Sequence, residues 1–180
     1  MISDTSTFRN LDLNTLRDGL PSVTSEFGAC CAQAATICLE DQGHPLVADL
    51  VIRGQLSENC KLTRLEVTDQ MQRCWNDEEV TTEHGAYGVS FLIIRDLTEF
   101  TVIERSRKGP GFDYWLGNEE ELPFQNKAKL EVSGIRNGVD SDISRRVKQK
   151  KKQTSKAGSS LPIYIIVVEF GRPIAQVWQK

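Results

Sequence analysis

No apolar run in this 180-residue sequence approaches the roughly 20 residues that a membrane-spanning helix needs. The opening residues, MISDTSTFRNLD, lack the basic start and apolar stretch of a secretion signal, so we expect a cytoplasmic protein with no membrane partner. The sequence also lacks the phosphate-binding loop Gly-x-x-x-x-Gly-Lys-Ser/Thr and the nucleophile turn Gly-x-Ser-x-Gly. The enzyme classes that depend on those motifs are therefore disfavoured.

Histidine is scarce, and the cysteines form no metal-binding motif. His44 and His84 are too few and too isolated to suggest a zinc cluster. The five cysteines are odd in number and include no Cys-x-x-Cys pair, and three of them (Cys30, Cys31 and Cys38) lie in an apolar segment with helical spacing. This pattern favours small buried side chains in a reducing compartment over a disulfide or a zinc site.

The composition is that of an ordinary globular chain, with 39% apolar and 26% charged residues and a net charge of −3. The charge is distributed unevenly. Residues 1–75 hold 10 acidic and 6 basic residues, residues 76–140 hold 13 and 7, and residues 141–180 hold 2 and 9. An acidic body with a basic C-terminal end suits an anionic partner, whereas the acidic first 75 residues suit a protein partner.

The hydrophobic patterns predict an α/β fold with a mixed central sheet flanked by helices. Residues 1–75 read as an N-terminal extension, with a helical segment over 13–40 and strands over 46–53 and 62–67. Residues 76–180 read as a core in the order helix, three strands, basic helix, strand. We predict these elements over 77–96, 100–105, 112–116, 127–133, 140–156 and 161–170, with an edge element at Val177 and Trp178.

Three carboxylates are the candidates for chemistry. Asp113 and Glu131 lie on successive strands that can pair as a hairpin, and Glu83 lies on the preceding helix at the spacing of its apolar stripe, Val80 and Tyr87. Converging carboxylates repel one another unless a cation neutralises them, and their oxygens suit Mg²⁺ or Mn²⁺. Each also has a structural alternative: a first-turn helix acid for Glu83, a turn acceptor for Asp113 and an exposed strand residue for Glu131.

These residues resemble the PD-(D/E)XK nuclease superfamily, which has the restriction-endonuclease-like αβββαβ core. The resemblance covers about residues 76–172 and rests on Gly111-Phe112-Asp113-Tyr114 and Lys129-Leu130-Glu131-Val132-Ser133-Gly134. It implies metal-dependent cleavage of phosphodiesters, with Asp113, Glu131 and the carbonyl of Val132 at the metal and Glu83 as an auxiliary residue.

One position departs from the family pattern. The family places a lysine two residues after the glutamate, where it stabilises charge, and here that residue is Ser133. Lys129 shares a strand face with Glu131 and Ser133, and we predict it as the relocated catalytic lysine. Lys127 lies further along that face, and Lys148, Lys150 and Lys151 follow on the basic helix. The alternative is a site that has lost its chemistry and kept the fold for binding or assembly.

Two basic segments are candidates for nucleic-acid contact: the turn before Asp113 and the basic helix. A solvated helix face is the alternative for the basic helix. Tyr114 and Trp115 could stack on a base, although packing is the simpler role for both. The candidate phosphate-contacting residues are Arg105, Arg107 and Lys108 in the turn before Asp113, and Arg145, Arg146, Lys148 and Lys150 on the basic helix.

The sequence therefore predicts a Mg²⁺- or Mn²⁺-dependent nuclease that acts on DNA, as a subunit of a larger DNA-processing or defence assembly. A catalytically inactive protein of the same fold, acting as a binding or scaffold subunit, is the alternative. A role on RNA or on a small molecule is a third reading.

Overall fold

The computed structural model describes residues 8–155 and 160–180. Most of the predicted N-terminal tail (1–7) and the last residue of the predicted basic helix (156) lie outside the described residues. Within these described residues the eight strands are β1 Arg9–Asp12, β2 Val47–Gly54, β3 Glu58–Thr63, β4 Thr101–Arg105, β5 Tyr114–Gly117, β6 Ala128–Ile135, β7 Ile163–Glu169 and β8 Ile174–Gln179. The α-helices are α1 Ser25–Asp41, α2 Asp69–Cys74, α3 Glu78–Leu97 and α4 Asp140–Thr154, and a 3-10 helix spans Leu13–Asp18.

The predicted class, an α/β fold with a mixed sheet flanked by helices, is confirmed. All eight strands form one sheet in the order β1-β3-β2-β8-β7-β6-β5-β4. β1 is parallel to β3, β2 to β8 and β6 to β7, and the other neighbours are antiparallel. Because β2 pairs with β8, strands from residues 1–75 and 76–180 share the same sheet.

Three local predictions were wrong. The helical segment over 13–40 divides in two, because Gly19 takes a φ of 79° and Thr24 caps the start of α1. The second strand begins earlier, at Glu58. Val177 and Trp178 belong to β8, which lies between β2 and β7 inside the sheet and not at its edge.

Helices cover both faces of the sheet. α1 and α3 pack on one face over a core that includes Leu50, Leu130 and Ile166, and α4 packs on the other over Ile163 and Val167. In the part of the chain that the structure describes, no helix is long and apolar enough to cross a membrane.

Three of the five cysteines behave as predicted. Cys31, Cys38 and Cys60 are buried, whereas Cys30 and Cys74 are exposed, and all five are free thiols. Burial raises the pKa of the Cys31 and Cys38 thiols to about 12, so both remain protonated at neutral pH. These two side chains therefore serve as small core residues between α1 and α3.

Candidate active site

Asp113 lies where β5 and β6 separate. The two strands pair antiparallel, as the hairpin prediction requires, and the pairing starts at Tyr114 with Leu130. Beyond that pair, Asp113 replaces the missing strand partner, because its Oδ2 accepts the backbone N–H of Val132 at 2.8 Å. Its Oδ1 accepts the hydroxyl of Tyr87 on α3 at 3.2 Å. Both carboxylate oxygens of Asp113 are thus oriented by the protein.

Glu131 is buried within the sheet, with 1% of its surface exposed, so the exposed-strand alternative is wrong. It lies opposite Ile165 on β7, in the layer that α4 covers. Its Oε1 accepts hydrogen bonds from two α4 side chains, Lys150 Nζ at 2.5 Å and Gln153 Nε2 at 3.1 Å. Its Oε2 is also buried, and it has no hydrogen-bond partner among the residues that the structure describes.

The environment of Glu131 disfavours its charge. Burial is the main reason that the pKa of Glu131 rises to about 7, and the negative charge of the nearby Asp113 carboxylate adds to the rise. Lys150 acts in the opposite direction and lowers the pKa. Glu131 therefore needs either a proton or a cation, and Lys150 supplies a cation to only one of its two oxygens.

Ser133 occupies the position of the family's lysine, and a cation from α4 reaches it. Arg146 Nη1 donates to Ser133 Oγ at 2.7 Å and lies 3.4 Å from the carbonyl oxygen of Gly134. Together with Lys150, Arg146 brings positive charge to the face of β6 that carries Glu131. α4 thus provides the charge that β6 itself lacks at this position.

Lys129 has a different environment from Lys150. Its side chain is buried, and its ammonium lies 5.6 Å from the ring centre of Phe112. Burial lowers the pKa of this ammonium. Lys150 forms an ion pair with the Glu131 carboxylate. The lysine at this carboxylate is therefore Lys150 and not the predicted Lys129.

Glu83 does not form a three-carboxylate cluster with Asp113 and Glu131. Its side chain is exposed, as is that of Val80, so the expectation that both lie on a buried stripe of α3 was wrong. Glu83 lines a cavity of about 720 Å³ together with Tyr87, Val132 and Lys150. Among residues 8–155 and 160–180, no three acidic, histidine or cysteine side chains form a group that could hold a metal ion.

Gly134 lies where α3 approaches β6 most closely, next to this cavity. A Cβ at this position would lie 2.6 Å from the carbonyl oxygen of Thr82, so only glycine lets α3 approach the strand so closely. That approach brings Tyr87, one turn further along α3, to Asp113.

A second cavity, of about 310 Å³, opens on the other side of the carboxylate pair. Asp113, Glu131 and Gln153 line it, as does the turn that carries Arg105, Arg107 and Lys108. Basic residues therefore lie next to both acidic ones. The arrangement can hold an anion such as a phosphate close to the two carboxylates.

Two other predicted nucleic-acid-binding residues on α4 do not belong to the pair of cations, Arg146 and Lys150, that reaches β6. Arg145 is exposed and forms an ion pair with Asp142 at 2.6 Å, and Lys148 is exposed. The stacking prediction for Tyr114 and Trp115 is not supported. Tyr114 is buried, with 1% of its surface exposed, and Trp115 packs edge-to-face on Phe112 at 4.6 Å.

A hard divalent cation fits the oxygen atoms that are present. Two adjacent carboxylates, one of them with an orphaned oxygen, are the donor type that Mg²⁺ and Mn²⁺ prefer, and Mg²⁺ is commonly held by one or two carboxylates. A strand residue directs its N–H and C=O to the same side, so the Val132 carbonyl faces the side on which its N–H meets Asp113.

Two residues at the site were missed by the sequence analysis. Tyr87 was assigned to the apolar stripe of α3, and Gln153 was not singled out. Gln153 follows Lys150 by three residues, which places both on one face of α4. Tyr87 gave no comparable signal, because a buried tyrosine is indistinguishable in sequence from a core aromatic.

No family model, curated protein or solved structure matches this chain.

Proposed function

We propose that this protein is a metal-dependent nuclease that hydrolyses DNA phosphodiesters with Asp113, Glu131 and Lys150. The observation that carries the proposal is the buried Glu131 carboxylate, which lies beside Asp113 and has one oxygen without a partner among the described residues. Placing a half-buried carboxylate beside a buried one is costly, and such a pair is a marker of a functional site. The order α3, β4, β5, β6, α4, β7 is the αβββαβ order of the restriction-endonuclease-like core, and it supports the same proposal.

In this proposal Asp113, Glu131 and the Val132 carbonyl hold Mg²⁺ or Mn²⁺. The bound cation would neutralise negative charge on the phosphodiester as a Lewis acid. Tyr87 and the Val132 N–H orient Asp113, and Lys150 binds Glu131 Oε1 and favours its ionised form. The guanidinium of Arg146 and the turn at Arg105 supply positive charge for the phosphates on either side.

The five free thiols favour a reducing compartment, so we place the protein in the cytoplasm. A protein partner for the acidic residues 1–75, and membership of a DNA-processing or defence assembly, stay predictions.

The second candidate function is a non-catalytic binding or scaffold subunit of the same fold. The absence of a lysine at Ser133 favours it, because a serine carries no charge with which to stabilise a transition state. The two candidates differ in one measurable property, which is cleavage.

The test is cleavage of plasmid DNA and of single-stranded DNA with Mg²⁺ or Mn²⁺. We expect Asp113→Asn, Glu131→Gln and Lys150→Met each to lower the cleavage rate by about 100-fold or more, the usual scale for losing one charge-stabilising group. Lys61→Met is the matched control, since it removes one positive charge on β3, at the opposite end of the sheet from the site. Wild-type protein that cleaves neither DNA with either metal would refute the nuclease and favour the scaffold.

A further inference from the structure

Four aromatic rings extend outward from Asp113 along the side of α3 that faces α1. We name Phe27, Trp75, His84 and Tyr87 the ring cluster. Tyr87 donates its hydroxyl to Asp113, and the His84 ring centre lies 6.4 Å from that of Tyr87. Beyond it, Trp75 and Phe27 lie 5.6 and 6.0 Å from His84.

The outer rings are positioned for more than packing. Phe27, Trp75 and His84 are half-buried, so each keeps part of its surface open to solvent. Their planes meet at 52° and 70°, so they are not stacked on one another. Trp75 is fixed through its indole N–H, which donates to Gln33 Oε1 at 3.1 Å. A fixed and partly open aromatic surface is the type of platform on which a flat base stacks.

The ring cluster has positive charge on one side and negative charge on the other. The Arg105 guanidinium lies 5.9 Å from the ring centres of both Phe27 and Tyr87, and the turn that follows carries Arg107 and Lys108. In contrast, α3 exposes Glu83 next to His84. A nucleic-acid backbone is therefore attracted to the turn and repelled by α3.

We propose that the ring cluster binds an unpaired nucleobase, so that the substrate of the site is single-stranded nucleic acid. This inference rests on the proposed function, which it deepens by naming the strandedness of the substrate. The phosphates of the strand lie along Arg105, Arg107 and Lys108, and a base next to the scissile phosphodiester stacks on His84 and Trp75. The bases of a duplex are paired and stacked inside the helix, so a duplex cannot make this contact.

Binding in the absence of divalent metal, with EDTA present, tests the proposal without any dependence on cleavage. Fluorescence anisotropy compares labelled single-stranded DNA, single-stranded RNA and a duplex of the same sequence. We expect both single strands to bind more tightly than the duplex, and the ratio of the two single-strand affinities identifies the preferred sugar. Equal or tighter binding of the duplex, or no binding of either single strand, would overturn the proposal.

Variants of the ring cluster provide the second arm. We expect Trp75→Ala and His84→Ala each to weaken single-strand binding roughly tenfold, the scale of one lost base–aromatic stack. Phe124→Ala is the matched control, because Phe124 is a partly exposed aromatic residue outside the ring cluster. Trp75→Phe retains a ring and should keep most of the affinity. If the Trp75→Ala protein has an altered thermal midpoint, His84→Ala and Trp75→Phe still decide the result.

An abasic oligonucleotide of equal length separates stacking from charge. Wild-type protein should bind it more weakly than the normal strand, and Trp75→Ala should cause no further loss, since there is no base left to stack. A Trp75→Ala loss of the same size on the abasic strand would contradict base stacking.

The failure of this inference and the failure of the nuclease proposal look different. Cleavage of duplex DNA that is insensitive to Trp75→Ala would overturn the ring-cluster proposal and leave the nuclease intact. Binding of single strands that depends on the rings, in a protein that cleaves nothing, would support the ring cluster and refute the nuclease.

Discussion

At the scale of single residues, the environment of Glu131 disfavours the charged form of its carboxyl group. A carboxylate at the centre of a sheet must be neutralised, and Lys150 and Gln153 from α4 satisfy only Oε1. The orphaned Oε2 and the neighbouring Asp113 leave a residual repulsion within the fold. This local cost is the physical signature of a site that is arranged for a ligand rather than for stability alone.

The titration of Glu131 should appear in the pH dependence of stability. An unfolded glutamate ionises near pH 4.5, whereas burial and Asp113 raise the pKa of Glu131 in the folded protein to about 7. Between these values the folded state binds more protons, so its free energy of unfolding falls as the pH rises from about 5 to 8. The full effect is on the order of 3 kcal/mol, and it is an upper limit.

Urea unfolding of the metal-free protein at pH 5, 6, 7 and 8 measures this effect. In Glu131→Gln, which cannot titrate, we expect the decline to be reduced relative to wild type, while Glu66→Gln, an exposed control, keeps it. Parallel pH profiles for wild type and Glu131→Gln would show that Glu131 ionises in the folded protein as it does in water.

At the scale of secondary-structure elements, the contact between α1 and α3 positions the ring cluster, including Tyr87. Glycines in α3 allow the two helices to approach closely. A Cβ on Gly88 would lie 2.9 Å from the backbone oxygen of Cys31 on α1, and one on Gly85 would lie 3.0 Å from the Cα of Ala35. Backbone atoms cannot move aside as a flexible side chain can, so α3 can carry its aromatic residues against α1 only in this register.

Gly88→Ala should therefore destabilise the protein, although alanine is the better helix former by about 1 kcal/mol. We expect a net loss of about 1–3 kcal/mol, the usual cost of overpacking a core. Thermal unfolding followed by circular dichroism measures it. Ser144→Ala, on the exposed face of α4, gains helix propensity without a steric clash and should not lower the midpoint. An unchanged or raised midpoint for Gly88→Ala would mean that α1 and α3 can separate freely.

At the scale of the whole molecule, the sheet joins the two halves of the chain. β8 lies between β2 and β7, and α1 from the first half packs on α3 from the second. Neither half can bury its apolar face without the other, because the main hydrophobic core includes Leu50 and Leu62 from the first half and Leu130 and Ile166 from the second. The molecule is therefore expected to unfold as one cooperative unit.

Two sets of tryptophan reporters test this expectation. Trp75 lies at the α1–α3 contact, and Trp115 and Trp178 lie near α4. With either set replaced by phenylalanine, urea transitions followed by the remaining fluorescence should coincide with the transition followed by far-UV circular dichroism. Separate midpoints would show that the two halves unfold independently.

The sequence alone was sufficient for the class of fold and, within residues 76–180, for the order of the elements, whereas β1 and α2 were not predicted. The local signals are strong for α3, which begins with an Asp77 cap and two acidic residues, and for β7, which is apolar throughout. The hairpin that brings Asp113 towards Glu131 could also be predicted, because the strand that follows Asp113 pairs antiparallel with the strand that carries Glu131. Signals of this kind depend on a few neighbouring residues, so they can be recognised without knowledge of the rest of the chain.

Only the tertiary structure decided which residues complete the site and where the sheet ends. β8 resembles an edge strand in sequence, yet β2 covers its free side, and that pairing joins residues more than 100 positions apart. The strand pattern favours Lys129 as the lysine beside Glu131, but the packing of α4 on β6 brings Lys150 to its oxygen. Glu83 shares the spacing of a buried stripe and is exposed nevertheless, whereas its neighbours Thr81 and Thr82 are the residues of this turn that are buried. Long-range packing determines these contacts, and no periodicity in a single sequence encodes it.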